Sequence, residues 1–213
     1  RIVPDGCIDV VWTTDGELQL VGPNSIAFTV RSDAGARATG VRMHPGAAPA
    51  LLGVNAEGVL DARLPLTVVR GDDARALEER LSVAPPGRRP TLLLAWLAER
   101  GRRAPAPDPL VRAAAQRLAR DPERRTGALA RELHVSERHL RRRVKGLVGY
   151  GPKRLGRVLR LQRTLALLSQ MDEFSRSRFK LEARYHHVLV DEFQDTSRAQ
   201  WTLVELLVRS WAS

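Results

Sequence analysis

Residues 129–145 read LARELHVSERHLRRRVK, and the predicted fold of the basic part of the chain follows from their spacing. Leu129, Ala130 and Leu133 are spaced to form the inward face of a short helix, which Thr126 can cap. Residues 134–136 then form a tight connection to a second helix, predicted over residues 136–147. Two short helices joined by a three-residue turn predict a helix-turn-helix.

The second helix has two chemically different faces. Ser136 is a strong N-cap, and Glu137 in the first turn suits the helix dipole. The apolar residues follow at i, i+4 and i+7: Leu140, Val144 and Leu147. The basic residues follow at i, i+3, i+4 and i+7: Arg138, Arg141, Arg142 and Lys145. The helix therefore presents a cationic face opposite its apolar face.

The net charge of +11 at pH 7 is concentrated around this motif. Residues 108–168 contain sixteen Lys or Arg and five Asp or Glu, whereas the rest of the chain holds nineteen of each sign. Positive charge gathered in one small helical segment favours a phosphate-backbone partner. A solvated basic face and an acidic protein partner are the alternatives.

The predicted partner is double-stranded DNA, with the 136–147 helix in the major groove. Arginine forks pair with O6 and N7 of guanine, which favours base recognition by Arg138, Arg141 and Arg142. Phosphate contacts or helix capping are predicted for the remaining polar residues: Arg131, Ser136, His139, Lys145, Lys153 and Arg154. A single helix-turn-helix buries little surface, so binding should be modest and salt-dependent unless the protein forms a homodimer.

Outward from this motif, the chain has an α+β pattern. Short β-branched or aromatic runs at residues 7–12, 18–21 and 26–30, separated by turn residues, predict a β-rich N-terminal region. Helical periodicity follows at 74–81 and 91–100, and residues 102–107 form a linker. Asp108 begins a helix that runs to about residue 120, and a long helix spans 152 to about 168. A short strand and helix are predicted in the tail.

The stretch 129–145, followed by Gly149-Tyr150-Gly151-Pro152, resembles the first helix-turn-helix of AraC/XylS-type transcriptional regulators. Residues 41–48 and 51–53 are similar to the sensor-like N-terminal domains of some members, which implies a small-molecule effector. The resemblance also implies that Arg138, Arg141 and Arg142 face bases. Val144 departs from the phenylalanine usual in the family, and the second helix-turn-helix expected after residue 168 is missing.

Residues 185–201 instead resemble the Walker B segment of UvrD/AddA-type superfamily 1 helicases. The resemblance implies that Asp191 coordinates magnesium and Glu192 activates water, while Gln194 and Asp195 couple the nucleotide state to DNA movement. Phosphoryl transfer also needs a phosphate cradle, and no G-x-x-x-x-G-K-[ST] occurs in the sequence. A helicase-type ATPase is therefore the alternative function, expected to be inactive, and the chain is predicted not to be an enzyme.

These patterns predict three segments: a sensor-like domain at 1–104, an incomplete DNA-binding segment at 105–168 and a helicase-like fragment at 169–213. The start at Arg1 suggests a piece of a longer protein. A chimeric or misassembled reading frame is favoured over a true fusion whose tail packs on the regulator. On that account residues 169–213 are expected to be poorly docked, since residues 172–184 are mostly charged and break the hydrophobic pattern. A ligand-binding module without a DNA role is a further alternative.

The remaining candidate sites favour structural interpretations. Cys7, flanked by Asp5 and Asp9, is the sole cysteine and is predicted to be a buried thiol. His186 and His187 would point to opposite faces of a strand, so no metal site and no cofactor are predicted. The apolar runs are too short for a membrane span, and a reducing cytoplasmic location is expected.

Overall fold

The structure, a computed structural model, describes residues 2–13, 15–29 and 37–171, with side chains to residue 167. Within these residues, the strands are β1 (Ile8–Trp12), β2 (Leu18–Val21), β3 (Thr39–Met43) and β4 (Arg63–Pro65). The α-helices are α1 (Ala48–Leu52), α2 (Leu66–Arg70), α3 (Asp72–Val83), α4 (Arg89–Arg103), α5 (Pro109–Arg120), α6 (Thr126–Glu132), α7 (Glu137–Val148) and α8 (Pro152–Met171). This is an α+β fold, as predicted. The predicted strand and helix of the tail lie outside the described residues.

The four strands form one antiparallel sheet in the order β3-β1-β2-β4. Val10 of β1 lies opposite Leu20 of β2 on one side and Val41 of β3 on the other. Alternate residues of β1 are buried, as expected for a sheet with one face in the core. The predicted strands at 7–12 and 18–21 are confirmed, with β1 beginning at Ile8.

The predicted strand at 26–30 is wrong. The described part of this run forms only a single bridge, between Phe28 and Ile2, and Ile26 is 68% exposed. The third strand is β3, which pairs with the whole of β1 and buries Met43. Strand propensity indicates only that a side chain suits a half-buried pleated surface, so the available pairing partner decides which run joins the sheet.

The first hydrophobic core lies between the sheet and helices α1–α4. Helix α4 packs against β3, and α2 packs against β2. The largest side chains that this core buries completely are Leu18, Leu20, Leu52, Leu66, Leu77, Leu81 and Leu93. The helices predicted at 74–81 and 91–100 are confirmed, each extended by a few residues at both ends.

A second core lies among α5–α8. Helix α5 packs against both α7 and α8, and α6 packs against α7. Leu118, Leu129, Leu140 and Leu155 are fully buried in it. The predicted boundary at residue 104 falls between the two cores, while the division into three domains stays a prediction.

Helix capping in this second part follows the sequence with one exception. The Asp108 carboxylate accepts a hydrogen bond from the Val111 amide at 2.9 Å, and Ser136 Oγ accepts one from the His139 amide at 3.1 Å. The predicted cap by Thr126 is wrong, because α6 begins at Thr126 and the preceding Arg125 makes no side-chain cap. A hydroxyl that lies inside the first turn is one position too late to act as the N-cap.

The end of α7 packs directly on the sheet-bearing part of the chain, which comprises the described residues up to 104. Gly149 has φ of +95°, and a Cβ added there would lie 2.6 Å from Pro23 Cγ. The Gly146 carbonyl accepts a hydrogen bond from the Ala56 amide at 3.0 Å. Further along, Gln162 of α8 donates to the Pro4 carbonyl at 2.7 Å. The two parts of the chain are therefore joined by one backbone hydrogen bond, one bond from a side chain to a backbone carbonyl, and close packing at Gly149.

Two glycines of this junction should respond oppositely to alanine. Gly149→Ala should lower the free energy of unfolding by about 1–2 kcal/mol or more. The alanine would have to adopt the left-handed backbone conformation of this position, and its Cβ would crowd Pro23. Gly146→Ala is the matched control: a Cβ there meets nothing within 4 Å, so it should stabilise the helix by up to about 1 kcal/mol. Urea denaturation of both variants measures the difference, and equal effects would contradict the assigned geometry.

Candidate nucleic-acid interface

The rotation of α7 is set by three buried residues, Leu140, Val144 and Val148. Leu147, predicted to complete this face, is only partly buried, and Val148 takes the third position. Val148 follows Leu140 by eight residues and therefore lies on the same side of the helix, where a continuous i, i+4, i+8 row can pack.

The opposite face of α7 is exposed and cationic. Its members are Arg138, Arg141, Arg142 and Lys145. Arg141 pairs with Glu137 one turn earlier, and Lys145 Nζ lies 2.5 Å from Glu57 Oε1. Among the residues that the structure describes, Arg138 and Arg142 have no hydrogen-bond or ion-pair partner. These two guanidinium groups are therefore available to an external anion or base.

The turn before α7 is tight and places a histidine in an unusual conformation. The Val135 amide donates to the Ala130 carbonyl at 3.0 Å, which closes the turn. His134 has φ of +55°, in the left-handed region that glycine favours. His134 is exposed, so its side chain does not explain this conformation by packing. The turn geometry itself requires it, because α6 must end and α7 begin within a few residues.

Next to the cationic face lies a cleft of about 640 Å³. The residues that line it are Thr126, Arg141, Arg142, Lys145, Gly151, Pro152, Lys153, Arg154 and Arg157. Six of these residues are basic and none is acidic. An open cleft lined by positive charges alone attracts anionic ligands, phosphate groups in particular.

The first turns of α8 supply half of the cations in this cleft. Lys153, Arg154 and Arg157 are exposed, whereas Leu155 and Val158 on the other side enter the second core. Arg157 was missed by the sequence analysis. Its signal was present, because it follows Lys153 by four residues and Arg154 by three and so shares their face of the helix.

The other predicted residues of the DNA site lie outside the lining of this cleft. Arg131 is exposed on α6, and Arg138 lies in the first turn of α7. Ser136 and the His139 amide form the α7 cap. The predicted set therefore divides into an N-terminal group on the helix-turn-helix and a cleft group shared by α7 and α8. The helicase-like residues Asp191, Glu192, Gln194 and Asp195 lie outside the described residues.

One ion pair links the start of α5 to α7. Arg143 donates to the Asp108 carboxylate, which also accepts from Val111. Burial opposes ionisation of Asp108, but the bonds from the Val111 amide and the Arg143 guanidinium outweigh it and hold the pKa of this carboxyl below its ordinary value. The carboxylate thus serves as helix cap and ion-pair partner together.

Cys7, predicted to be a buried thiol, is only partly buried. Burial, and next the charge of Asp5, raise the pKa of the Cys7 thiol to about 12, so it is protonated at neutral pH. Asp5 and Asp9 both pair with Arg42, at 3.0 and 2.9 Å. No group of three His, Cys, Asp or Glu that could hold a metal ion occurs in the described part of the chain. His186 and His187 lie outside it.

Comparison with known families gives two partial matches. Residues 1–65 match a domain of unknown function (DUF6597), and residues 154–212 match the UvrD/REP helicase N-terminal domain. Each covers less than half of the chain. The second agrees with the helicase resemblance at 185–201, but it begins inside α8, ahead of the boundary predicted at 168. Neither tests the resemblance to AraC/XylS-type regulators, which stays a prediction.

Neither curated proteins nor solved structures give a match to this chain. None of the helices described by the structure has the length and hydropathy that a membrane span requires.

The Asp108 cap should give the protein a pH-dependent contribution to stability. The folded pKa of Asp108 is lower than its ordinary value of 3.8, so ionised Asp108 stabilises the fold above that pH, and this contribution is lost as the pH falls through the folded pKa. Asp108→Asn keeps a capping side chain but removes the charge. Its unfolding free energy should lie below that of the unmodified chain at pH 7, and the gap should narrow only as the pH falls below 3.8 and through the folded pKa.

Urea unfolding at several pH values between 7 and 3 measures this gap. Arg143→Gln is the matched control, because it removes the guanidinium partner and leaves Asp108 in place. When Arg143→Gln is present, the pH-dependent gap caused by Asp108→Asn should be smaller. A gap between the Asp108→Asn variant and the unmodified chain that does not change with pH would contradict the assignment.

Proposed function

We propose that this chain binds double-stranded DNA, with α7 inserted into the major groove, and that it regulates transcription in this way. The observation that carries the proposal is the arrangement of cations around α7. An exposed basic helix face, with unpaired Arg138 and Arg142, continues into a cleft lined by six basic residues and no acidic one. A helix presented with flanking phosphate-binding cations is how helix-turn-helix proteins dock on DNA.

The free guanidinium groups suit base recognition. Arg138 lies in the first turn of α7, and the N-terminal residues of a recognition helix are those that contact base edges. Arg142 follows one turn later on the same face. Arg141, which the resemblance also assigns to bases, is paired with Glu137 and would have to exchange that carboxylate for DNA.

The cleft cations suit the phosphate backbone. Lys145, Lys153, Arg154 and Arg157 surround an open space at the junction of α7 and α8. Contacts of this kind supply affinity without sequence information and make binding strongly salt-dependent. Arg131 and His139, outside the cleft, would add to the phosphate contacts along the helix-turn-helix.

The resemblance to AraC/XylS-type regulators extends this proposal. It supports a cytoplasmic regulator whose N-terminal part responds to a small-molecule effector. A homodimer would supply a second recognition helix, and two such helices would bury the surface that a specific complex usually needs.

The direct test is fluorescence anisotropy of labelled duplexes enriched from a random pool. The full chain is titrated into the enriched duplex and into a scrambled duplex, at low and at near-physiological salt. Preference for the enriched duplex that survives the higher salt is the expected result. Weak binding that ignores sequence and is lost with salt would overturn the proposal of specific recognition.

Substitutions should separate base recognition from phosphate contact. Arg142→Ala should reduce the preference for the enriched duplex, because a bidentate arginine–guanine pair is worth about 1–3 kcal/mol of discrimination. Lys153→Ala should weaken binding to both duplexes about equally. It should also make the salt dependence of binding less steep, by about the amount that one phosphate contact contributes. The same anisotropy titrations measure both effects. Equal losses of preference from the two substitutions would contradict the assigned roles.

A helicase-type ATPase is the second candidate function, and the family match at residues 154–212 favours it. The helicase resemblance assigns magnesium to Asp191 and the attacking water to Glu192. The phosphate cradle that phosphoryl transfer requires has no counterpart in this sequence, since no G-x-x-x-x-G-K-[ST] is present. We therefore rank this function below DNA binding.

An ATPase assay distinguishes the two candidates. Phosphate release should not rise above background with ATP, magnesium and single-stranded DNA, and Asp191→Ala should leave it unchanged. Release stimulated by single-stranded DNA and abolished by Asp191→Ala would establish the second candidate instead.

A further inference from the structure

A turn of the sheet-bearing part of the chain, residues 55–61, lies against the C-terminal end of α7. Its shape is fixed internally. The Glu57 amide donates to Asn55 Oδ1 at 3.0 Å, and the Gly58 amide donates to the Asn55 carbonyl at 3.0 Å. The Glu57 backbone is thus held in place on both sides by Asn55, and its side chain projects from a defined position.

The same turn is anchored to the loop after β2. The Asp61 carboxylate accepts from the Ser25 amide and hydroxyl, at 2.5 and 2.6 Å. The Asp61 amide donates to the Pro23 carbonyl at 2.9 Å. Because this loop continues directly from a central strand, the position of the turn follows the position of the sheet.

At its other side, the turn completes the end of α7. The Gly146 carbonyl is one of the last four of the helix, which have no partner within the helix, and the Ala56 amide satisfies it at 3.0 Å. Beside this bond, Glu57 Oε1 lies 2.5 Å from Lys145 Nζ. The side chains of Glu57 and Lys145 are 46% and 54% exposed, so solvent and external ligands reach both.

We propose that Glu57 competes with DNA phosphate for Lys145, so that the docked 55–61 turn lowers the affinity of the protein for DNA. This inference rests on the proposed function. Lys145 lines the cationic cleft. Among the described residues, it is the member of that cleft that pairs with a carboxylate of the sheet-bearing part. A carboxylate and a phosphate oxygen offer the ammonium group the same charge-assisted bond, and one of them excludes the other when the geometry allows a single partner.

The contact is suited to modulation and not to complete inhibition. Exposed ion pairs are individually weak, so phosphate can replace Glu57 at small cost. Any change that moves the turn away from α7 would release Lys145 and also leave the Gly146 carbonyl without its partner. The sheet-bearing part therefore has a direct physical connection to the DNA-binding surface.

The test uses the full chain and the enriched duplex, titrated by fluorescence anisotropy at low salt. Glu57→Gln should strengthen binding about two- to fivefold, the range that corresponds to one exposed ion pair. Glu99→Gln is the matched control, because it removes one negative charge whose partners, Arg102 and Arg103, lie on α4. It should leave the affinity unchanged.

A double-variant cycle identifies the partner. Lys145→Gln should weaken DNA binding. The double variant with Glu57→Gln should bind DNA no more tightly than Lys145→Gln alone. An equal gain from Glu99→Gln, or a gain from Glu57→Gln that persists without Lys145, would overturn the inference while the proposed function stands. Failure of the unmodified chain to bind any duplex would instead remove the proposed function itself.

Discussion

Leu140, Val144 and Val148 of α7 are buried almost completely in the core formed with α5 and α8, and this burial fixes the rotation of the helix. A helix with three aligned apolar residues cannot turn without exposing them to water, which costs roughly 1.5–3 kcal/mol for each side chain. The basic residues are thereby directed outward as a group. The candidate interface, the cleft beside it and the proposed competition by Glu57 all depend on this rotation.

The two ends of α7 are held by different kinds of interaction. Its N-terminal end is capped by its neighbour in sequence, Ser136, so this end is specified locally. Its C-terminal end is satisfied by Ala56 and limited by the contact of Gly149 with Pro23, both from the other part of the chain. The candidate interface therefore has one end whose geometry is local and another that reflects the position of the sheet.

Helix α8 lies both in the second hydrophobic core and in the segment that matches the helicase family. The family match to the helicase domain begins at residue 154, yet Leu155 and Val158 help to form the second core. The same helix places Lys153, Arg154 and Arg157 in the cleft. A similarity in sequence and a folding unit can thus have different boundaries, because a core is defined by which side chains are buried together.

Local patterns in the sequence placed both helices of the helix-turn-helix and the Ser136 cap, because a cap acts on amides a few residues away and a 3.6-residue period assigns Leu140 and Arg142 to opposite faces. They did not decide the start of α6 at Thr126 or the burial of Val148 in place of Leu147. The same helical period could have placed Arg157 on one face with Lys153 and Arg154. The choice of residues 39–43 over 26–30 as the third strand required knowledge of which run could pair with β1. The contact of Glu57 with Lys145 depends on the tertiary structure, because it joins elements that are far apart in sequence. The cleft joins neighbouring helices, but its shape depends on how α7 and α8 both pack against α5, and no local interaction encodes that packing.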